Sequence, residues 1–153
     1  MRAWIASLKQ VGVLKKTLPI VGLLLGAKTV SGQTAYRFES VKMAYVLNNA
    51  PEDQDGNPVL NWQQKKDYLI VNMNRIIITD GALSKRSIYS VDSSKFDPRI
   101  GIIYFLKDDD DPALKFNIHK NKDDSFTIGL VHKDAFYLYF VPAGNFEELD
   151  SEE

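Results

Sequence analysis

Apolar side chains recur at every second position, in segment after segment, from Tyr36 to Val141. Leu114, Phe116 and Ile118 alternate with Lys115, Asn117 and His119; Phe126, Ile128 and Leu130 repeat the pattern, and Val41, Met43, Tyr45 and Leu47 show it earlier. Successive side chains of an extended strand point to opposite faces, so a period of two gathers these residues on one side of a sheet. At the centre lie Leu69-Ile70-Val71 and Ile76-Ile77-Ile78, separated by Asn72-Met73-Asn74-Arg75. Their branched side chains suit a pleated surface, and Asn accepts the backbone angles of a tight reversal, which predicts a β-hairpin ending at the Asp80-Gly81 turn signal. Ser87 to Val91 is read as a further strand, followed by a polar connection from Asp92 to Arg99.

Strand-like segments continue through Ile100 to Lys107, Ala113 to Lys120, Ser125 to His132 and Ala135 to Val141. Polar turns separate them, and Asn48 to Asn61, rich in Asn, Asp and Pro, is a loop. Eight mostly antiparallel strands in a meander predict an all-β domain, closed as a small barrel or folded as a sandwich to manage its edges. A barrel of this size is filled by side chains or admits one small ligand. The domain is expected over residues 33–145, with 146–153 as a solvated acidic tail.

Ahead of it, Lys15 and Lys16 precede the apolar run Leu18 to Ala27, and Val30-Ser31-Gly32 supplies small residues at the exit. A basic region, an apolar stretch of about ten residues and a small-residue cleavage site describe a secretory signal peptide over residues 1–32. The run is shorter than the roughly 20 apolar residues of a membrane span, so no stable span is expected after cleavage. A periplasmic or secreted location follows. The leader holds five of the 19 basic residues and no acidic one, leaving 14 basic against 20 acidic in the remainder. That balance gives no attraction to nucleic acid. There is no cysteine, which removes thiol catalysis, thiolate metal sites and disulfides.

Four sets of residues carry candidate chemistry. Asp53, Asp55 and Gly56 resemble the start of a calcium loop, but with Gly56 at the sixth position the first and twelfth fall on Pro51 and Trp62, where carboxylates are required. Asp108, Asp109, Asp110 and Asp111 are four adjacent carboxylates that calcium would neutralise; a charged hairpin turn is the plainer reading. Trp62, Tyr104, Tyr137 and Tyr139 are candidates for a groove that stacks a flat ligand or a sugar, against ordinary cross-strand packing. His119 and His132 fall at opposite ends of one expected hairpin and do not form a shared site. No nucleophile elbow, phosphate loop or zinc-binding helix motif is present.

The stretch from Trp62 to Val141 resembles a group of small exported proteins of Gram-negative gut-type bacteria that carry no assigned activity. The shared pattern is a Trp ahead of Leu69-Ile-Val-Asn72, then Arg75-Ile-Ile-Ile78, Ile88-Tyr89-Ser90, an acidic turn and the aromatic strand Phe136-Tyr-Leu-Tyr139; the cysteine often found near that turn is missing here. The resemblance implies export and a β-rich body, and it transfers no functional residue. The expected function is therefore non-catalytic binding of a small molecule or a protein outside the cytoplasm, with no cofactor of its own. The alternative is a small hydrolase or isomerase built on carboxylates, which needs two acids facing each other across a cleft.

Overall fold

The computed structural model describes residues 34–149; the expected leader and the last four residues lie outside them. Nine strands form one antiparallel sheet: β1 (Ala35–Leu47), β2 (Trp62–Val71), β3 (Arg75–Asp80), β4 (Arg86–Asp97), β5 (Gly101–Leu106), β6 (Lys115–Lys120), β7 (Phe126–Val131), β8 (Ala135–Val141) and β9 (Phe146–Leu149). Each strand from β2 to β8 pairs with the next in sequence, while β1 pairs with both β2 and β8. The meander therefore closes into an eight-stranded barrel. The eight expected strands are all present, and the choice between barrel and sandwich falls to the barrel.

The period-two pattern sorts the side chains. Leu69, Val71, Ile76, Ile102, Phe116, Ile118, Phe126 and Ile128 fill the lumen, all fully buried. A second cluster (Ala44, Val46, Ile103, Phe105, Phe136 and Leu138) lies on the outer wall, where Ala50, Leu60 and Trp62 pack against it. This is why the run Gly101–Leu106 is buried at every position. A strand covered on both faces cannot alternate.

Three segments differ from the sequence-based expectation. Asp92 to Asp97 continues β4 rather than connecting it, with a bulge between Val91 and Ser93. Its serines looked like loop material, but Ser94 sits opposite Tyr104 in the register, and a small residue there leaves room for that ring. Of the four alternating residues of β1 only Met43 is buried: the β1–β2 register shifts between Ser40 and Lys42, leaving Val41 exposed at the irregularity, and Tyr45 and Leu47 are exposed where the strand runs out toward the 48–61 connection. Finally, Phe146–Leu149 is a strand instead of a solvated tail. β8 covers one half of β1 (Lys42 to Leu47) and β9 the other (Ala35 to Phe38), so the two are one broken strand along the same edge. The break at Pro142 to Asn145 is bridged by Glu39 N–H donating to the Asn145 carbonyl at 2.8 Å.

Phe146 turns inward at that end. Its ring lies 5.8 Å from Phe38 and 5.3 Å from Phe126, and these three aromatics plug one end of the lumen. The opposite end, bounded by the connections 48–61, 81–85, 107–114 and 132–134, stays open.

Candidate functional site

The open end holds a cavity of about 450 Å³, within the 300–1,000 Å³ typical of small-molecule sites. Its wall follows from the same alternation that fills the lumen below. Lys65 and Asp67 from β2, Ile78 and Asp80 from β3, Ser87 and Tyr89 from β4, Leu130 and His132 from the β7 end, and Tyr137 and Tyr139 from β8 occupy inward positions, and Lys85 joins them from the β3–β4 turn. The lumen is apolar at its closed end and turns polar and aromatic at its mouth.

Asp67 is the chemically unusual member. It is only 2% exposed, and its Oδ2 has no hydrogen-bond partner. Oδ1 faces Lys65 Nζ at 3.5 Å, the lysine side chain being half-exposed. Its backbone is fixed by Ser40, whose hydroxyl accepts from the Asp67 amide at 3.2 Å across the β1–β2 seam. Burial pushes the Asp67 carboxyl above the ordinary carboxylate range, the Lys65 charge pulls against this, and the nearby Asp80 adds to it.

Asp80, opposite Asp67 in the β2–β3 register, behaves in the other direction. Its Oδ1 accepts the Ser84 amide at 2.7 Å and its Oδ2 the Ser84 hydroxyl at 2.6 Å, while the Lys85 amide reaches Oδ1 at 3.2 Å. These bonds hold its carboxyl below the ordinary value. The carboxylate staples the β3–β4 turn.

The tyrosines form the apolar side of the mouth. Burial raises the Tyr139, Tyr89 and Tyr137 hydroxyls, so all three stay protonated at neutral pH. The Asp67 charge adds to the shift at Tyr139. Tyr45 packs on Tyr137 at 4.8 Å, and His132 meets the same Tyr137 ring edge-on at 5.7 Å.

Of the four aromatics singled out in the sequence, the fold brings two together here, Tyr137 and Tyr139. Tyr104 is buried in the lumen away from the lining, with an unpartnered hydroxyl. Trp62 stands on the outer wall with Lys42 Nζ 4.8 Å above its ring. The acidic run serves the loop it sits in. Asp108 Oδ1 accepts the Asp110 and Asp111 amides at 2.9 and 3.1 Å. Asp111 Oδ1 accepts from Ala113, and its Oδ2 accepts the Lys133 amide at 3.0 Å and lies 3.5 Å from His132 Nδ1. That carboxylate ties the β5–β6 loop to the β7–β8 hairpin. Asp53 is engaged in the same manner, accepting the Asp55 and Asn57 amides at 2.9 Å. Among the described residues no group of three or more His, Asp or Glu side chains converges as a metal site would require.

The sequence reading missed Asp67, Asp80, Lys65 and Tyr89 as members of one site. The signal was present in the phase: Leu69 and Val71 face the lumen, and counting back by two reaches Asp67 and Lys65. Compared with protein-family models, curated proteins and solved structures, the chain gives no match.

Proposed function

We propose that this protein is an exported β-barrel that binds a small molecule in its open mouth and performs no chemistry on it. The observation that carries the reading is the cavity of about 450 Å³ in which a buried carboxylate oxygen, Asp67 Oδ2, is left without a partner beside three tyrosine rings. A buried polar atom without a hydrogen bond costs about 1–3 kcal/mol, and a ligand that supplies the missing donor recovers it. The mixture of apolar wall and few convergent polar groups is the composition of a binding pocket.

The test is a thermal-shift screen with fatty, aromatic and saccharide compounds, followed by amide chemical-shift mapping. A ligand at a hundred times its Kd adds about 2.7 kcal/mol, on the order of 10 °C for a domain this small. The mapped shifts should fall on Asp67, Asp80, Tyr89 and Tyr137. Shifts confined to the outer wall around Trp62, or no compound that stabilises, would sink the reading. N-terminal sequencing of protein made in a Gram-negative host tests export: the mature chain should begin at Gln33, and a retained Met1 would contradict it.

One observation favours the carboxylate-enzyme alternative, namely that Asp67 and Asp80 are register partners with oppositely shifted carboxyls. Such a pair can divide into acid and base. Against this, both oxygens of Asp80 are occupied by the turn it closes, so binding remains the better supported reading. Hydrolysis of a chromogenic glycoside or ester that vanishes in Asp67→Asn would reverse that order.

A further inference from the structure

The mouth is lined by Asp67 and Asp80 as well as Lys65 and Lys85, and what these groups select for deepens the binding reading on which this inference rests. We infer that the ligand carries a protonated amine, seated with its ammonium against Asp67 Oδ2 and its apolar body against Tyr89, Tyr137 and Tyr139.

The geometry gives three reasons. First, Asp67 is 2% exposed and its Oδ2 has no partner, although the residue lines the cavity, so an unsatisfied acceptor lies in the cavity wall where a donor on the ligand can meet it. The cation already near it, Lys65, approaches the other oxygen at 3.5 Å, longer than a charge-assisted hydrogen bond, and keeps half of its own surface in solvent. Second, Asp80 stands opposite Asp67 on β3, so a positive group at Oδ2 is attracted by both carboxylates, while an anion would be repelled by both. Third, the rings of Tyr89, Tyr137 and Tyr139 line the same cavity as the carboxylate and give an aromatic or aliphatic body a surface to cover, and aromatic rings attract a cation through their quadrupoles. A sugar could donate hydroxyls to Oδ2 and stack on the same rings, but it brings no charge to offset a buried carboxylate. An ammonium makes the stronger, charge-assisted bond.

The other charged groups set the boundary conditions. Lys65 on β2 competes for Asp67, and Lys85 stands at the rim of the β3–β4 turn. From β7 and β8 come His132, Tyr137 and Tyr139, from β4 Tyr89, and β1 contributes the Ser40 hydroxyl to the Asp67 backbone.

A matched series of probes separates charge from shape: tyramine, its alcohol analogue tyrosol, and the corresponding anion 3-(4-hydroxyphenyl)propionate. Titration calorimetry of the full chain near pH 7.5 should find tyramine at least tenfold tighter than tyrosol, and the propionate weakest. In Asp67→Asn, with the fold checked by circular dichroism, the tenfold advantage of tyramine over tyrosol, both measured on that variant, should disappear. Lys65→Met removes the competing ammonium, so tyramine should bind several-fold more tightly, a gain that misfolding cannot produce. Equal affinity for tyramine and tyrosol, a tyramine preference that survives Asp67→Asn, or no tyramine heat at millimolar concentration would each overturn the inference. If tyrosol or a saccharide then still maps to the mouth, only the ligand class is wrong; if nothing in the broader screen binds there, the binding reading falls with it.

Discussion

Asp67 shows how a single side chain can be costly for the fold and useful to a site. Because burial raises its pKa above 3.8, the native state holds the proton more tightly than the unfolded chain does. For a raised carboxyl the sign is fixed: folding is unpenalised below pH 3.8 and loses stability as pH climbs through the raised value, where the buried group must ionise. Asp67→Asn keeps the shape and removes the ionisation. The stability gap between mutant and wild type, measured by urea unfolding, should therefore grow in favour of the mutant from pH 3.5 to neutrality. A gap that shrinks with pH would mean that Lys65 more than offsets burial. Tyr104 offers a cleaner case, since its hydroxyl is buried and unpartnered but does not line the cavity. Tyr104→Phe should stabilise the protein by about 1 kcal/mol, read as a rise of several degrees in Tm; a fall of that size would show the hydroxyl to be satisfied. The phase of Leu69 and Val71 puts Asp67 on the lumen face, but the burial of either residue does not follow from the sequence. Tyr104 is a candidate for a stacking groove in the sequence and is instead enclosed in the lumen away from the cavity, and Asp67 reads as the polar approach to an apolar strand, because hydropathy does not record which face of a strand is enclosed.

At the scale of elements, the sequence carried the strands well wherever one face is apolar and the other polar, as in β6 and β7. It failed where a local irregularity overrode the count: the register shift near Val41, the bulge that lets β4 run on through its serines, and the break that makes β8 and β9 one interrupted strand. These depend on what lies across the sheet rather than on neighbours in the chain. Gly101 is a measurable instance. It opens β5 with φ of 99°, and a Cβ there would collide with the Ile118 carbonyl oxygen on β6. Gly144, in the β8–β9 break, has φ of 85° but nothing within 4 Å of the same position. Both alanine variants suffer the left-handed backbone penalty of about 1–2 kcal/mol, and only Gly101→Ala must also push two paired strands apart. It should lose about 3 kcal/mol or more against about 1 kcal/mol for Gly144→Ala, both measured by denaturant titration. Equal losses would place the whole cost in φ and none in the contact with β6.

For the whole molecule, the all-β class followed from counting strands and short turns, but closure had no local signature. The seam joins β1 to β2 across the 48–61 loop and β1 to β8 over most of the chain, pairing Tyr45 with Tyr137 and Met43 with Tyr139. The mouth is a product of that closure, since residues from β2 and β8 face one cavity only when β1 holds both. Strands β1 to β8 each have a partner on both sides and only β9, paired with β1 alone, keeps a free edge among the described residues, so the β1–β2 seam should be as durable as the wall. Trp62 reports on it directly, standing opposite Ala44 at the start of β2 and packed on the outer-wall cluster. In a Trp4→Phe background its fluorescence should change over the same urea range as the far-ultraviolet dichroism, as a single cooperative transition. The slope should lie within about 1–3 kcal/mol per molar urea. If Trp62 fluorescence moved first, β1 and β2 would part while the remaining strands stayed paired, and the mouth would then be a hinge rather than a preformed site. Coincident curves would instead mean that the partnerless Asp67 oxygen is held in place by the full stability of the barrel before any ligand arrives.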